Sequence, residues 1–502
     1  MTGKTGAAPP GPSLTIAYRW YALGLLALIN LLNYLDRNVI FALFEPIKRD
    51  LGLTDTQLGW LGSAYILVFS VAALPFGVIS DLRSRRAVIA AGVTVWSAFT
   101  ALGAAVRNFG QLFICRAAVG VGEAAFGPAA ASLVADYFPG KGRAAAMGVL
   151  SSGIALGGVL GIGLGGVLEK HYGWRVAFLV VGIPGMLCAM AAARLVDPTR
   201  PPSTVTLRAF FAGRDGALAM LRRDFLCTMI GTVLGLGAAV TLGGVYDSKL
   251  DIAVLGAAMG LGLAGDILRW VRLIRRGKVA TTPLGGELGS AIDDIVSAVK
   301  RVLATPTLMY VFVAGAMISF GMNGIVGWGP TFIARELGLT SSQAATLLGK
   351  WGLLAGTAGT LFGGGLADWL RRYTDQARVI TVALGLLIGA PAAIWLLTVR
   401  DEAIFIPVFF GAFFFLSWYN GPLTAVIFDV VPARVGATVA GAYLLFIHLA
   451  GDAIAFPLVG ALSDRFGIDR AVFVLPSVAL LGGLVVLGAL RTVGADMKRV
   501  TP

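Results

Sequence analysis

Twelve apolar stretches, each long enough to cross a bilayer as a helix, constrain this chain more than any other feature. They begin near Arg19, Thr56, Arg86, Phe109, Gly142 and Gly173, and again near Thr305, Ser341, Ala377, Glu402, Arg434 and Ile468. About 20 apolar residues in a helix cover the hydrocarbon core, and a backbone in lipid must satisfy its own N–H and C=O groups. The chain is therefore expected to be an all-α polytopic membrane protein of 12 core spans. With 57% hydrophobic and 13% charged residues, it lies far from the roughly 25% charge of soluble domains.

The net charge of +13 does not imply a nucleic-acid partner, because the basic residues sit in short loops. Arg83, Arg85 and Arg86 follow span two, Lys141 and Arg143 follow span four, and Arg194, Arg200, Arg208, Arg222 and Arg223 follow span six. Arg371, Arg372 and Arg378 follow span eight, and Arg491, Lys498 and Arg499 close the chain. Basic loops mark the cytoplasmic side, so both termini are expected inside. The start is polar and shows no cleavable signal, so span one is expected to serve as an uncleaved signal anchor. Together with the Ala/Gly/Arg-rich composition, this suggests a bacterial inner membrane. Cys115, Cys188 and Cys227 show no CxxC spacing, and no metal or cofactor is expected.

The expected organisation is a tail (1–18), a six-helix half (19–194), a central segment (195–304), a second half (305–491) and a tail (492–502). Within the central segment, Phe225–Val245 and Ile252–Val271 form an expected transmembrane hairpin (225–271), which would raise the count to 14; a surface-lying or re-entrant hairpin is the alternative. Leu288, Ile292, Ile295, Val296, Val299 and Val302 recur at helical spacing, which predicts an amphipathic surface helix over 287–303.

Six ionisable residues lie deep in apolar runs: Asp36 and Arg37, Arg116 and Glu123, His448 and Asp452. A charge at midplane costs about 2.5–3.5 kcal/mol on insertion scales, and such residues mark ion or substrate pathways. Asp36 and Arg37 diverge by about 100° on a helix, so each must find partners on other helices. Arg116 and Glu123, seven residues apart, share a face, with Gly120 and Gly122 between them to admit another helix, expected to be span one. His448 and Asp452, four apart, can bond along span eleven. Asp36, Glu123, His448 and Asp452 are the expected proton-coupling groups; Arg37 and Arg116 are expected to hold an anionic substrate. Static interhelical pairing is the alternative for each set. Asn33 and Tyr34 beside the charged pair of span one are further expected substrate contacts, as are Asn323, Trp328, Trp418, Tyr419 and Asn420, because proline and glycine near these last five (Pro330, Gly421, Pro422) break helices and leave polar groups facing a ligand. The second histidine, His171, lies in an expected outer loop and looks incidental.

An internal repeat completes the pattern. Span two ends Gly77-x3-Asp81 with Arg83, Arg85 and Arg86; span eight ends Gly364-x3-Asp368 with Arg371 and Arg372. Gly77, Asp81, Arg85, Gly364, Asp368 and Arg371 are the expected cytoplasmic gate. Two halves with equivalent motifs suit a carrier that rocks around a midplane site.

Six-plus-six spans with this duplicated loop resemble the major facilitator superfamily. Three segments resemble its spinster-like branch: Leu32-Asn33-Tyr34-Leu35-Asp36-Arg37, the run from Arg116 to Ala124, and His448-Leu449-Ala450-Gly451-Asp452 with Phe456-Pro457. The central hairpin departs from the twelve-span pattern. Span five is glycine-rich but lacks the Gly-Pro pair of drug antiporters. The resemblance implies a monomeric proton-coupled carrier for an amphiphilic lysolipid or sphingoid phosphate, surrounded by membrane lipids. A small organic anion suits the same arginines, and a passive lipid scramblase or a membrane scaffold would use the same fold without coupling. No P-loop or nucleophile motif supports an enzyme.

Overall fold

The computed structural model describes residues 14–82, 84–198 and 297–500, with isolated positions between 227 and 265. The expected hairpin (225–271) and the first part of the expected surface helix (287–303) therefore lie outside the described residues, as do Arg83 and the side chain of Asp81. Residues 297–304 are helical, with Val299 and Leu303 exposed and Ala298 buried.

Helices α1 (Ile16–Ala42), α2 (Phe44–Leu51), α3 (Asp55–Leu82), α4 (Arg85–Leu102), α5 (Phe109–Tyr137), α6 (Arg143–Tyr172) and α7 (Trp174–Ala192) precede the central segment. After it come α8 (Pro306–Glu336), α9 (Ser341–Leu370), α10 (Ala377–Leu396), α11 (Glu402–Leu416), α12 (Pro422–Asp429), α13 (Ala433–Ile447) and α14 (Ala453–Phe466). The chain closes with α15 (Ile468–Ala471), α16 (Val474–Leu487) and α17 (Val493–Lys498). Among the described residues there is no strand, and 11 helical stretches are long and apolar enough to cross a membrane. Helix α9 matches them in length at 30 residues; its hydropathy is diluted by glycine at 349, 352, 356, 359 and 363–365.

The helices start where side chains can satisfy their free N–H groups. Asn108 accepts from Gln111 N–H at 2.9 Å to open α5, and Thr340 and Gln343 form a reciprocal capping box on α9. Outward faces stay apolar: Leu160, Ile183, Leu187, Met190, Leu481 and Leu484 are exposed, as a lipid solvent requires. Inside each half, small residues bring backbones together. A Cβ at Gly157 would sit 2.5 Å from the Leu31 carbonyl oxygen, and one at Gly161 2.5 Å from that of Leu35, so α6 lies directly on α1.

The two halves meet chiefly through α3 against α14 and α6 against α9. With short turns reversing the chain each time, Glu45, Asp55, Arg335 and Ser341 lie at the far end, opposite both termini. Arg335 donates from Nη1 to Asp55 at 2.7 Å and from Nε to Glu45 at 2.8 Å. Lys48 Nζ meets Asp55 at 2.5 Å. Below this ionic layer, Phe41 stacks on Phe456 with ring centres 5.0 Å apart, and Ser63 donates to the Ala453 carbonyl at 2.9 Å. Among the described ion pairs, those that join the halves are Arg335 with Glu45 and Arg335 with Asp55, both at this far end. Toward the terminal end, Ile154 of α6 and Leu361 of α9 face the space between the halves and are exposed.

Candidate functional site

A cavity of about 510 Å³ lies between the halves, within the range of small-molecule sites. Tyr34, Arg37, Asn38 and Tyr65 supply its polar groups from the first half, and Asn323, Asn420, His448 and Asp452 from the second; most of the remaining wall is apolar, including Phe41, Ile66, Met322, Leu348, Phe413 and Phe456.

Arg37 faces this space from α1. Its Nε donates to Glu123 Oε2 at 2.5 Å, and its guanidinium lies 4.7 Å from the ring centres of Tyr34 and Phe69. The rings and the carboxylate hold the side chain still while its remaining N–H groups stay available. Behind it, Asp36 is fully buried and accepts from Arg116 Nη1 at 2.9 Å and from the Thr100 hydroxyl. Asp36 and Arg37 thus point to different partners, as their angular separation requires, and spans one, three and four are knitted into one network. Arg116 Nε and Nη2 and Glu123 Oε1 are buried without a hydrogen-bond partner in the described structure. Such groups are expensive in a dry interior, so this network carries residual demand for a donor, an acceptor or a proton.

The second network lies on α8 and span eleven. Asp452 Oδ2 meets His448 Nδ1 at 2.7 Å, while Oδ1 accepts from Asn323 at 3.0 Å and from the Ser319 hydroxyl. Residues His448–Asp452 form a π-helical turn between α13 and α14, a local widening that tends to occur at functional positions. Gly451 makes it possible: a Cβ there would stand 2.6 Å from the Ala316 carbonyl oxygen of α8. Tyr65 stands between the networks. Its ring centre is 5.6 Å from the guanidinium groups of both Arg37 and Arg116, and it lines the cavity with Asp452.

Several expectations need correction. Gly120 and Gly122 admit spans two and three, not span one: their Cβ positions would meet the Tyr65 carbonyl oxygen at 2.5 Å and the Gly92 carbonyl oxygen at 2.6 Å. Trp328 does not line the cavity; it is fully buried, packs on Phe44 and donates from Nε1 to the Phe456 carbonyl at 3.1 Å. Trp418 is buried among Phe362, Phe414 and Phe415. Asn33 is buried off the wall, and Tyr419, half-buried, is not part of it either. Asp36, Arg116 and Glu123 form the layer behind Arg37. Conversely, Tyr65, Asn38, Thr100 and Ser319 carried no sequence signal, since single hydroxyl or amide residues in membrane helices mostly bond to their own backbone.

At the terminal end, the repeat residues hold each half together. Arg85 opens α4, meets Asp136 at 2.7 Å and pairs with Asp197, whose carboxylate also accepts the Arg85 N–H at 3.0 Å. In the second half Arg378 opens α10 and pairs with Asp429, which Arg371 also meets at 3.2 Å. Both halves thus tie the start of their third span to the end of their fourth. The contacts described for Arg85 run to α5 and to Asp197 just after α7, and those for Arg371 stay within the second half; Gly77 and Gly364 have open space at their Cβ positions.

A family model described as Major Facilitator Superfamily matches residues 26–264, and one described as Organic Anion Transporter Polypeptide family matches residues 253–398. The chain is 26% identical over 477 residues to an MFS-type efflux pump of Mycolicibacterium smegmatis, covering 95% of this chain and 91% of that one. It is 25% identical over 496 residues to the sphingosine-1-phosphate transporter SPNS2 of Xenopus tropicalis, covering 93% and 82%. A crystal structure of a bacterial homologue of the human lysosomal transporter Spinster superposes with TM-score 0.71 at 21% identity, covering 96% of this chain and 99% of that one. In span pattern, fold and relatives together, the chain is similar to the major facilitator superfamily and, within it, to transporters of spinster type.

Proposed function

We propose that this transporter is a proton-coupled secondary carrier that moves an amphiphilic lysolipid- or sphingoid-phosphate-like substrate by alternating access. It sits as a monomer in a bacterial inner membrane with both termini cytoplasmic. The observation that carries this reading is the Arg37–Glu123 pair, in which a cation on the cavity wall is held by a carboxylate buried behind it. A proton on Glu123 cancels the charge that restrains Arg37, so proton binding and the grip on an anionic head group are linked. Asp36 with Arg116, and Asp452 with His448, are the further groups whose charge a proton would change. The apolar wall suits an alkyl chain. The domain boundaries at 19–194 and 305–491, with a hairpin and surface helix between them, belong to the same proposal, as does a gating role for Gly77, Asp81, Arg85, Gly364, Asp368 and Arg371.

The second reading, a small organic anion, is favoured by the match of residues 253–398 to the organic-anion family model. Proteoliposome flux separates the readings. An imposed pH gradient is expected to drive accumulation of a lysolipid or sphingoid phosphate, and Asp36→Asn is expected to abolish gradient-driven accumulation while leaving downhill exchange. Lipid movement indifferent to the gradient would make the protein a scramblase. Uptake of chainless organic acids alone would favour the second reading.

A further inference from the structure

The duplicated motif occurs a third time in the chain. Gly460-Ala461-Leu462-Ser463-Asp464 at the end of α14 repeats the Gly-x3-Asp pattern of Gly77 to Asp81 and Gly364 to Asp368, but at the far end of the molecule. Its carboxylate crosses between the halves. Asp464 Oδ1 accepts from the Asp55 N–H at 2.8 Å, and Oδ2 accepts from the Thr56 N–H at 2.8 Å and the Thr56 hydroxyl at 2.6 Å. Asp55 and Thr56 open α3, so these N–H groups have no carbonyl partner within that helix. Gly460 permits the approach, since a Cβ there would lie 2.3 Å from the Asp55 carbonyl oxygen. Gly59 on the facing helix is equally constrained, its Cβ position lying 2.3 Å from the Phe456 carbonyl oxygen. Ser463 adds a 2.6 Å bond to Asp55 Oδ2.

We propose that Gly460–Asp464 is the far-end lock of the transport cycle: a helix cap supplied by one half to the other, whose formation and loss set how much of the population is shut on that side. The Arg335 ion pairs run along the same seam, but a long, partly exposed side chain loses its partners gradually as the helices shift. Two backbone N–H groups aimed at one carboxylate lose it at once. The cap exists only when the end of α14 lies against the start of α3, and this makes it the directional element of the closure. The inference rests on the alternating-access reading and goes beyond it by naming the element that reports which side is closed.

The test uses the full chain in proteoliposomes, with Cys115, Cys188 and Cys227 replaced and a single reporter cysteine. Ser63→Cys reports the closed seam, and Leu361→Cys reports the cavity wall toward the terminal end. A charged maleimide is the probe. Loss of the cap in Asp464→Ala is expected to speed labelling at position 63 and slow it at 361, changing their ratio about tenfold. Asp464→Asn, which keeps one acceptor oxygen, is expected to shift it less, and serves as the deciding variant if Asp464→Ala does not fold. A folded Asp464 variant whose ratio equals that of the parent, while an added sphingoid phosphate still moves both labels, overturns the lock alone. If the sphingoid phosphate moves neither label in the parent protein, the lock falls together with alternating access.

Discussion

At the residue scale, the informative arrangement is the buried Asp36–Arg116 pair. Both side chains are almost completely enclosed, so removing one partner leaves a charge whose desolvation nothing offsets, a loss of about 3–5 kcal/mol. Arg116→Gln is therefore expected to lower the thermal midpoint sharply in detergent, and Asp36→Asn/Arg116→Gln to recover most of it without restoring proton-driven uptake. A double variant no more stable than Arg116→Gln would show that the pair is not coupled. The divergence of Asp36 and Arg37 was legible because a helix fixes the angle between neighbours. The placement of Trp328, Trp418 and Asn33 was not, because a membrane helix is apolar on every side and no hydrophobic face tells which way an indole or amide points.

At the element scale, glycine spacing decides which helices touch. Gly157 and Gly158 are sequence neighbours on α6, yet a Cβ at Gly157 meets the Leu31 carbonyl oxygen at 2.5 Å while one at Gly158 finds only Asn38 Nδ2 at 3.7 Å. Gly157→Ala is expected to destabilise by about 1–3 kcal/mol through forced separation of α1 and α6; Gly158→Ala is expected to stay within about 0.5 kcal/mol. Thermal unfolding of the two variants side by side checks this, and equal midpoints would refute the packing argument. The break in span ten could be anticipated from Gly421-Pro422, where φ is 89° at the glycine. The π turn at His448–Asp452 could not, because its cause is the close passage of Gly451 over α8, a contact between segments 133 residues apart at Ser319 and Asp452.

At the scale of the whole molecule, the far-end seam determines which way the cavity opens. Arg335 serves two carboxylates of the other half, and its side chain is partly exposed, so solvent weakens the pairs. Arg335→Gln is expected to enlarge the far-end-open population about fivefold, corresponding to about 1 kcal/mol. Spin labels at Arg49 and Arg465, exposed positions on opposite halves at that end, would show the longer-distance population growing. An unchanged distance distribution would assign Arg335 to assembly alone.

The sequence by itself determined that the chain is a bundle of membrane-spanning helices in two related halves, and which ionisable residues lie at membrane depth. Lipid offers no hydrogen bonds, so apolar length and the position of each charge leave few alternatives. Only the tertiary structure decided which charges pair, which aromatics face the cavity and which end is sealed. Those facts depend on side chains meeting from helices hundreds of residues apart, as Asp464 meets Asp55 and Thr56, and no local pattern encodes that encounter.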